Sequence, residues 1–146
     1  MGKSKDMSSG KCPITFALDI FGDKWSLIIL RDILFKKKQY YGEFLNSAEK
    51  ISTNILASRL LKLESEGLIS KTQDPNNLSK FIYRLTDKGK DLLPLILDMI
   101  EWSVKYNSQP DVPDNIINGA PANLLTRLHE DREALINEIL NTLENA

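Results

Sequence analysis

The stretch from Ser52 to Leu85 constrains this chain more than any other. It opens on a serine, whose short hydroxyl suits a helix N-cap, and the helical pattern that follows should run to about Glu66 and stop at Gly67. At about 100° per residue, Leu56, Leu60 and Leu63 fall on one face. Asn54, Ser58, Leu61 and Ser65 lie opposite, flanked by Thr53, Ala57 and Lys62. That outer face is small and polar near its N-terminus and has no carboxylate before Glu64. A plain surface helix would usually carry Glu and Lys there, often as i,i+4 pairs. Short side chains without acid suit a helix that lies against base edges between rows of phosphate.

The residues on either side complete a pattern. Before Ser52, Tyr41 to Asn46 reads as a short helix, with Tyr41, Phe44 and Leu45 as core residues, and Ser47 to Ile51 as a turn. After Gly67, Leu68 to Thr72 and Lys80 to Leu85 read as strands. The second alternates Phe81, Tyr83 and Leu85 against Ile82 and Arg84, the period of a half-buried strand. Asp74-Pro75-Asn76-Asn77 between them is a turn signal. Lys71, Lys80 and Arg84 flank this hairpin, where they can meet a DNA backbone or minor groove. Helix, turn, helix and hairpin in that order is the plan of a winged helix-turn-helix. The expected fold class is mainly α with a small β-hairpin wing.

Helices surround this unit. Cys12-Pro13 looks like a helix start, because proline suits the first helical position. The segment Ile14 to Phe21 ends at Gly22. Asp23 can cap a helix from Lys24 to Phe35, whose apolar residues cover more than one face, so it is buried on several sides or lies at an interface. Lys36-Lys37-Lys38 complements that helix's dipole; a solvated loop is the expectation there, with contact to phosphate as the alternative. Thr86 can cap a helix from Asp87 to about Tyr106 that kinks at Pro94. Pro121 opens an amphipathic helix to about Leu143, whose stripe must fold back on its own chain or pack on another subunit. The expected organisation is a flexible arm at 1–11, a winged helix-turn-helix domain with dimerisation helices at 12–106, a linker at 107–120 and a C-terminal helix at 121–146.

A net charge of −1 over 146 residues looks wrong for a phosphate-binding protein, but the distribution is uneven. Residues 1–90 hold 16 of the 19 Lys and Arg and 10 of the 20 Asp and Glu, and the remaining 3 basic and 10 acidic residues follow. The basic part contains the motif. No apolar run approaches the roughly 20 residues that span a bilayer, and the N-terminus lacks an apolar signal core, so the expectation is a cytoplasmic protein without a membrane partner. Chemistry is scarce. With one Cys and one His, neither a CxxC metal site nor a His-rich one can be built within the chain. No nucleophile has a partnered base in a known motif, and no glycine-rich phosphate loop occurs. No catalytic residue, metal or cofactor is expected.

From Cys12 onward particular motifs add to the pattern. CPI at 12–14, GDKW at 22–25, YGEF at 41–44, ISTNILASRLLKLESEGLI at 51–69 and YRLTDKGKDLLP at 83–94 stand in an order and spacing that resembles the HxlR-type family of bacterial winged-helix regulators, relatives in fold of the MarR type. The resemblance covers roughly Cys12 to Tyr106. It implies a transcriptional regulator that works as a homodimer on double-stranded DNA, with N- and C-terminal helices packed across the two-fold. Carried over by position, it implies DNA contact at Ser52, Thr53, Asn54, Ala57 and Ser58, with Arg59 or Lys62 near phosphate. The wing's share falls to Asn76, Asn77, Ser79 and Lys80, to which the reading of the hairpin's flanks adds Arg84. The dimer interface would include Ile14, Ala17, Phe21, Ile96, Met99, Ile100 and Trp102. Cys12, at a helix N-terminus beside Lys11, is a candidate redox or electrophile sensor, since dipole and cation both favour thiolate; its alternative is a small apolar residue packed at a helix start. Two other readings stand beside a DNA-binding dimer. One is a winged-helix protein–protein module, which the outward Leu61 fits. The other is a regulator gated by a small ligand at the dimer interface, built from Trp25, Phe21, Met99 and Trp102.

Overall fold

The helix that is apolar on more than one face lies at the centre of the molecule. The computed structural model describes residues 12–106 and 119–144. In chain order the elements are α1 (Pro13–Phe21), α2 (Lys24–Lys36), α3 (Tyr41–Leu45), α4 (Thr53–Ser65), β1 (Ile69–Asp74), β2 (Asn77–Leu85), α5 (Asp87–Lys90), α6 (Leu93–Tyr106), α7 (Leu124–Glu130) and α8 (Arg132–Glu144). The arm at 1–11 and the linker residues 107–118 lie outside the described residues. Among the described residues no helix is long and apolar enough to cross a membrane.

α2 buries Ile29, Leu30, Ile33, Leu34 and Phe35. α4 packs on one side of it and α8 on another. Its start is set by Asp23, whose carboxylate accepts from the Ser26 amide at 2.8 Å and the Ser26 hydroxyl at 3.0 Å. α1 begins at Pro13 and is closed by Gly22, whose N–H donates to the Leu18 carbonyl. The C-terminal stripe folds back on its own chain: Leu124, Leu128, Leu135 and Ile139 all join the main core. Burying one such leucine stabilises the fold by about 2 kcal/mol.

Four local expectations are corrected. The helix after Thr86 is broken rather than kinked. α5 ends at Lys90, α6 starts at Leu93, and Pro94 sits in the first turn, where its missing N–H costs nothing. The last helix starts at Leu124, not Pro121, and is interrupted at Asp131, whose side chain caps α8 by accepting from the Ala134 amide at 3.2 Å. Tyr41 is not a core residue. It is 36% exposed, and its hydroxyl donates to the Thr53 carbonyl at 3.2 Å, tying α3 to the start of α4. The alternation in β2 also fails at Phe81, which is 41% exposed, while Ile82 on the other face is buried. The strand has left the core by that point; Tyr83 makes the inward contact, edge-on to Phe44 at 6.2 Å.

The lysine run is not a solvated loop either. Lys37 takes the left-handed conformation that ends α2, with φ 56°. Lys36 and Lys38 turn back to Asp32, a buried carboxylate, at 4.0 and 2.9 Å. Arg31 binds the same carboxylate at 2.6 Å and, with its other edge, Glu49 at 2.7 Å in the turn before α4. The Arg31 guanidinium holds Glu49 down at about 2, against an ordinary value of 4.5. A carboxylate whose folded pKa is depressed stabilises above its unfolded pKa and loses that contribution as pH falls through the folded one. The difference in urea midpoint between the wild type and Glu49→Gln should therefore be full at pH 6 and shrink toward zero between about pH 4.5 and 2. A difference that stays constant down to pH 2 would contradict this pairing.

Candidate nucleic-acid interface

α4 is built for one buried face and one presented face. Ser52 caps it, accepting from the Ile55 amide at 3.3 Å. Leu56, Leu60 and Leu63 are buried, which turns Thr53, Asn54, Ala57, Ser58, Leu61 and Ser65 outward, with Lys62 half-exposed. Gly67, at φ +79°, ends the helix in the left-handed conformation that favours glycine, and the chain turns directly into β1. The site residues expected on this helix therefore share one open surface. Arg59 is the exception in its surroundings. Its Nε donates to Asp23 Oδ2 at 3.1 Å, so the α2 cap holds part of its charge. Burial raises the Asp23 pKa, but the Ser26 amide and hydroxyl and the Arg59 guanidinium together bring it below its ordinary value.

The wing is an antiparallel pair in which Ile69 faces Leu85 and Gln73 faces Phe81, with an irregularity between Gln73 and Asp74. Both strands extend further than the sequence implied, to Asp74 and from Asn77. The tip is held by its own side chains. Asp74 accepts from the Asn76 amide at 2.9 Å and from the Tyr40 hydroxyl at 3.0 Å. Asn77 Oδ1 accepts from the Ser79 amide and hydroxyl at 3.2 and 2.7 Å. Asn76, Asn77, Ser79 and Lys80 thus sit together at the exposed end, and Arg84 lies apart, near the base. Lys71 covers the Phe81 ring at 4.4 Å and Lys80 the Tyr40 ring at 5.3 Å. Sequence reasoning missed Tyr40, which tethers the wing to the segment before α3, and Leu78, exposed at the tip. The only signal for Tyr40 was an aromatic next to a helix start; for Leu78, an apolar residue inside a turn.

Apolar side chains are exposed on two other helices. Ile14, Phe16 and Leu18 on α1 and Leu95, Met99, Trp102 and Tyr106 on α6 are exposed. Of the expected interface residues, Ile14, Met99 and Trp102 are among these exposed side chains and Ala17 is half-buried, while Phe21, Ile96 and Ile100 are buried in the protomer's own core. Trp25 is partly buried and packs against that core too. Cys12 is half-buried at the α1 N-cap. Its thiol makes no complete capping bond. The Thr15 hydroxyl, then the amides of Thr15 and Ile14, still lower its pKa from 9.0. Among the described residues no group of three or more His, Cys, Asp or Glu is placed to hold a metal.

A capped helix with an open polar face, braced by a short helix and flanked by a two-stranded wing, is a winged helix-turn-helix. The chain belongs to the HxlR-like helix-turn-helix family, whose pattern matches residues 20–111. It is similar to the HTH-type transcriptional regulator YdeP of Bacillus subtilis, 36% identical over 68% of this chain and 77% of that one. Among solved structures it resembles PA1607, at 39% identity and a TM-score of 0.63 over 68% of each chain. It also resembles the oxidised form of the redox regulator HypR, at 30% identity and a TM-score of 0.58, over 67% of this chain and all of that one. Membership makes the protein a regulator of transcription and not an enzyme.

Proposed function

We propose that the protein is a homodimer that binds a roughly palindromic operator, with α4 of each protomer in successive major grooves about 34 Å apart. The outer face of α4 carries this reading: Thr53, Asn54, Ala57 and Ser58 are all exposed at its N-terminal end, with no carboxylate among them. Asn54 and Ser58 read base edges, Lys62 and Lys80 neutralise phosphate, and the wing follows the backbone or minor groove. The apolar surface of α1 and α6 supports the dimer, because exposed apolar patches of this kind mark protein interfaces. Leu61, 67% exposed, fits a thymine methyl as well as it fits a protein partner.

The test is fluorescence anisotropy on the DNA upstream of the protein's own gene and of its nearest divergent gene, at two salt concentrations, against a scrambled duplex. Selective, salt-sensitive binding is expected. Lys80→Gln should weaken all duplexes alike and reduce the slope of log K on log salt by about 1, whereas Asn54→Ala should cost about 1–3 kcal/mol on the operator and little on the scrambled duplex. Equal losses on both duplexes from both variants would remove the division of roles.

A second reading, that oxidants or electrophiles control the regulator through Cys12, is favoured by a thiol that is partly accessible and of lowered pKa. Diamide should weaken operator binding by the wild type at least several-fold and leave Cys12→Ser unaffected. The same response in both proteins would exclude Cys12 as the sensor.

A further inference from the structure

We infer that a cavity at the base of the wing binds a small oxyanion, carboxylate or phosphate, and that Glu144 competes for the same positive charge. The cavity, of about 350 Å³, lies where the end of α2, strand β2 and the last turn of α8 meet. That size suits a small molecule. Lys37, Lys38, Arg84 and Lys90 line it, against the single carboxylate of Glu144. Lys38 is committed to Asp32 at 2.9 Å. Lys90 reaches Glu144 at 3.6 Å, a loose pair whose acid is largely exposed. Among the described residues Lys37 and Arg84 have no ion-pair partner. The lining is therefore strongly positive at the place where an anion would sit, which is how clefts concentrate charged ligands.

Two further observations make the site a built one. Lys37 holds φ 56° at a position where glycine is usual, at a cost of about 1 kcal/mol, and that conformation brings its side chain to the cavity wall. The loop is also pinned: the Tyr83 amide donates to the Gln39 carbonyl at 2.8 Å, so loop and β2 form one wall without a ligand. Arg84 was expected among the wing's DNA contacts, but the cavity it lines stands apart from the wing tip and from the outer face of α4. Arg84 lies seven residues along β2 from Asn77, about 23 Å at 3.3 Å per residue. Base and tip are nonetheless two ends of one strand, which places an occupant where it can bear on the wing. That last consequence rests on the DNA-binding reading; anion binding itself does not.

The experiment titrates the ¹⁵N-labelled full chain with inorganic phosphate and, separately, with succinate, at ionic strength held constant with sodium chloride and without DNA. Saturable shifts are expected at Lys37–Gln39 and Tyr83–Leu85, and the stronger of the two probes identifies the chemistry. Arg84→Gln should bind about tenfold more weakly, since a charge-assisted bond is lost. Glu144→Gln should bind roughly two- to fivefold more tightly, the scale of releasing an exposed ion pair. Both residues are exposed, and circular dichroism checks that the variants fold. No saturable shift with either probe, or a titration unchanged by Arg84→Gln, overturns the site. Unchanged affinity in Glu144→Gln overturns the competition. Operator affinity is measured separately, so failure of the DNA-binding reading is distinguishable from failure of this one.

Discussion

Asp32→Asn should lower the stability of the fold by about 3 kcal/mol, read as a fall in urea midpoint at unchanged slope. The carboxylate is only 1% exposed and is held by Arg31, Lys38 and, more distantly, Lys36. Asparagine keeps the shape, so packing is preserved and the loss is one of charge. Removing one partner from a buried ion pair costs about 3–5 kcal/mol, because the other partner is left uncompensated. The three cations here keep some exposure and can partly rehydrate, which puts the effect at the lower end. Lys38→Gln should cost less, about 1 kcal/mol, since Arg31 would still satisfy Asp32. The loss should also reach α4, because Arg31 grips Glu49 in the turn before it with its other edge. Amide exchange in that turn should rise in Asp32→Asn. A loss under about 1 kcal/mol would mean that desolvation of the buried acid already cancels its attraction to the cations.

This cluster shows what a sequence can and cannot disclose. Caps are local, and Pro13, Asp23, Ser52 and Thr86 all start helices where their chemistry predicts. The polar outer face of α4 is local too, since periodicity alone sorts Leu56, Leu60 and Leu63 from Asn54 and Ser58. Partners distant in sequence are not legible. Nothing in the run Lys36-Lys37-Lys38 says that two of its members face a buried acid one turn back, and nothing in Asp74-Pro75 says that Tyr40 will hold the tip. Asp131 illustrates competition between scales: the apolar stripe from Leu124 to Leu143 runs through it, but the backbone breaks because an aspartate caps a helix better than it continues one.

α6 carries two stripes side by side. Leu93, Ile96, Leu97 and Ile100 face the core, and Leu95, Met99, Trp102 and Tyr106, spaced by four, three and four residues, face outward. The expected interface took two members from each stripe, though the spacing was readable from the start. The outer stripe leads to the second large effect. If the protein is the dimer proposed above, Trp102→Glu should dissociate it and weaken operator binding by about 10²-fold or more, because two half-sites that are no longer linked must be bound independently. Trp102 is 66% exposed in the protomer and its ring meets that of Tyr106, tilted, at 5.3 Å between centroids, so its loss leaves the protomer's core intact. A buried tryptophan at the centre of an interface carries a large share of its energy, and a carboxylate placed there must be desolvated without a partner. Sedimentation should show a species of 16.6 kDa in place of one of twice that mass, with the unfolding transition of the protomer retained. Ile96→Ala, from the inner stripe, should do the reverse: it lowers stability by about 2–4 kcal/mol and leaves the dimer in place at temperatures where the protomer is folded. A dimeric Trp102→Glu would move the interface off the α6 surface and leave α1, with Ile14, Phe16 and Leu18, to form it alone.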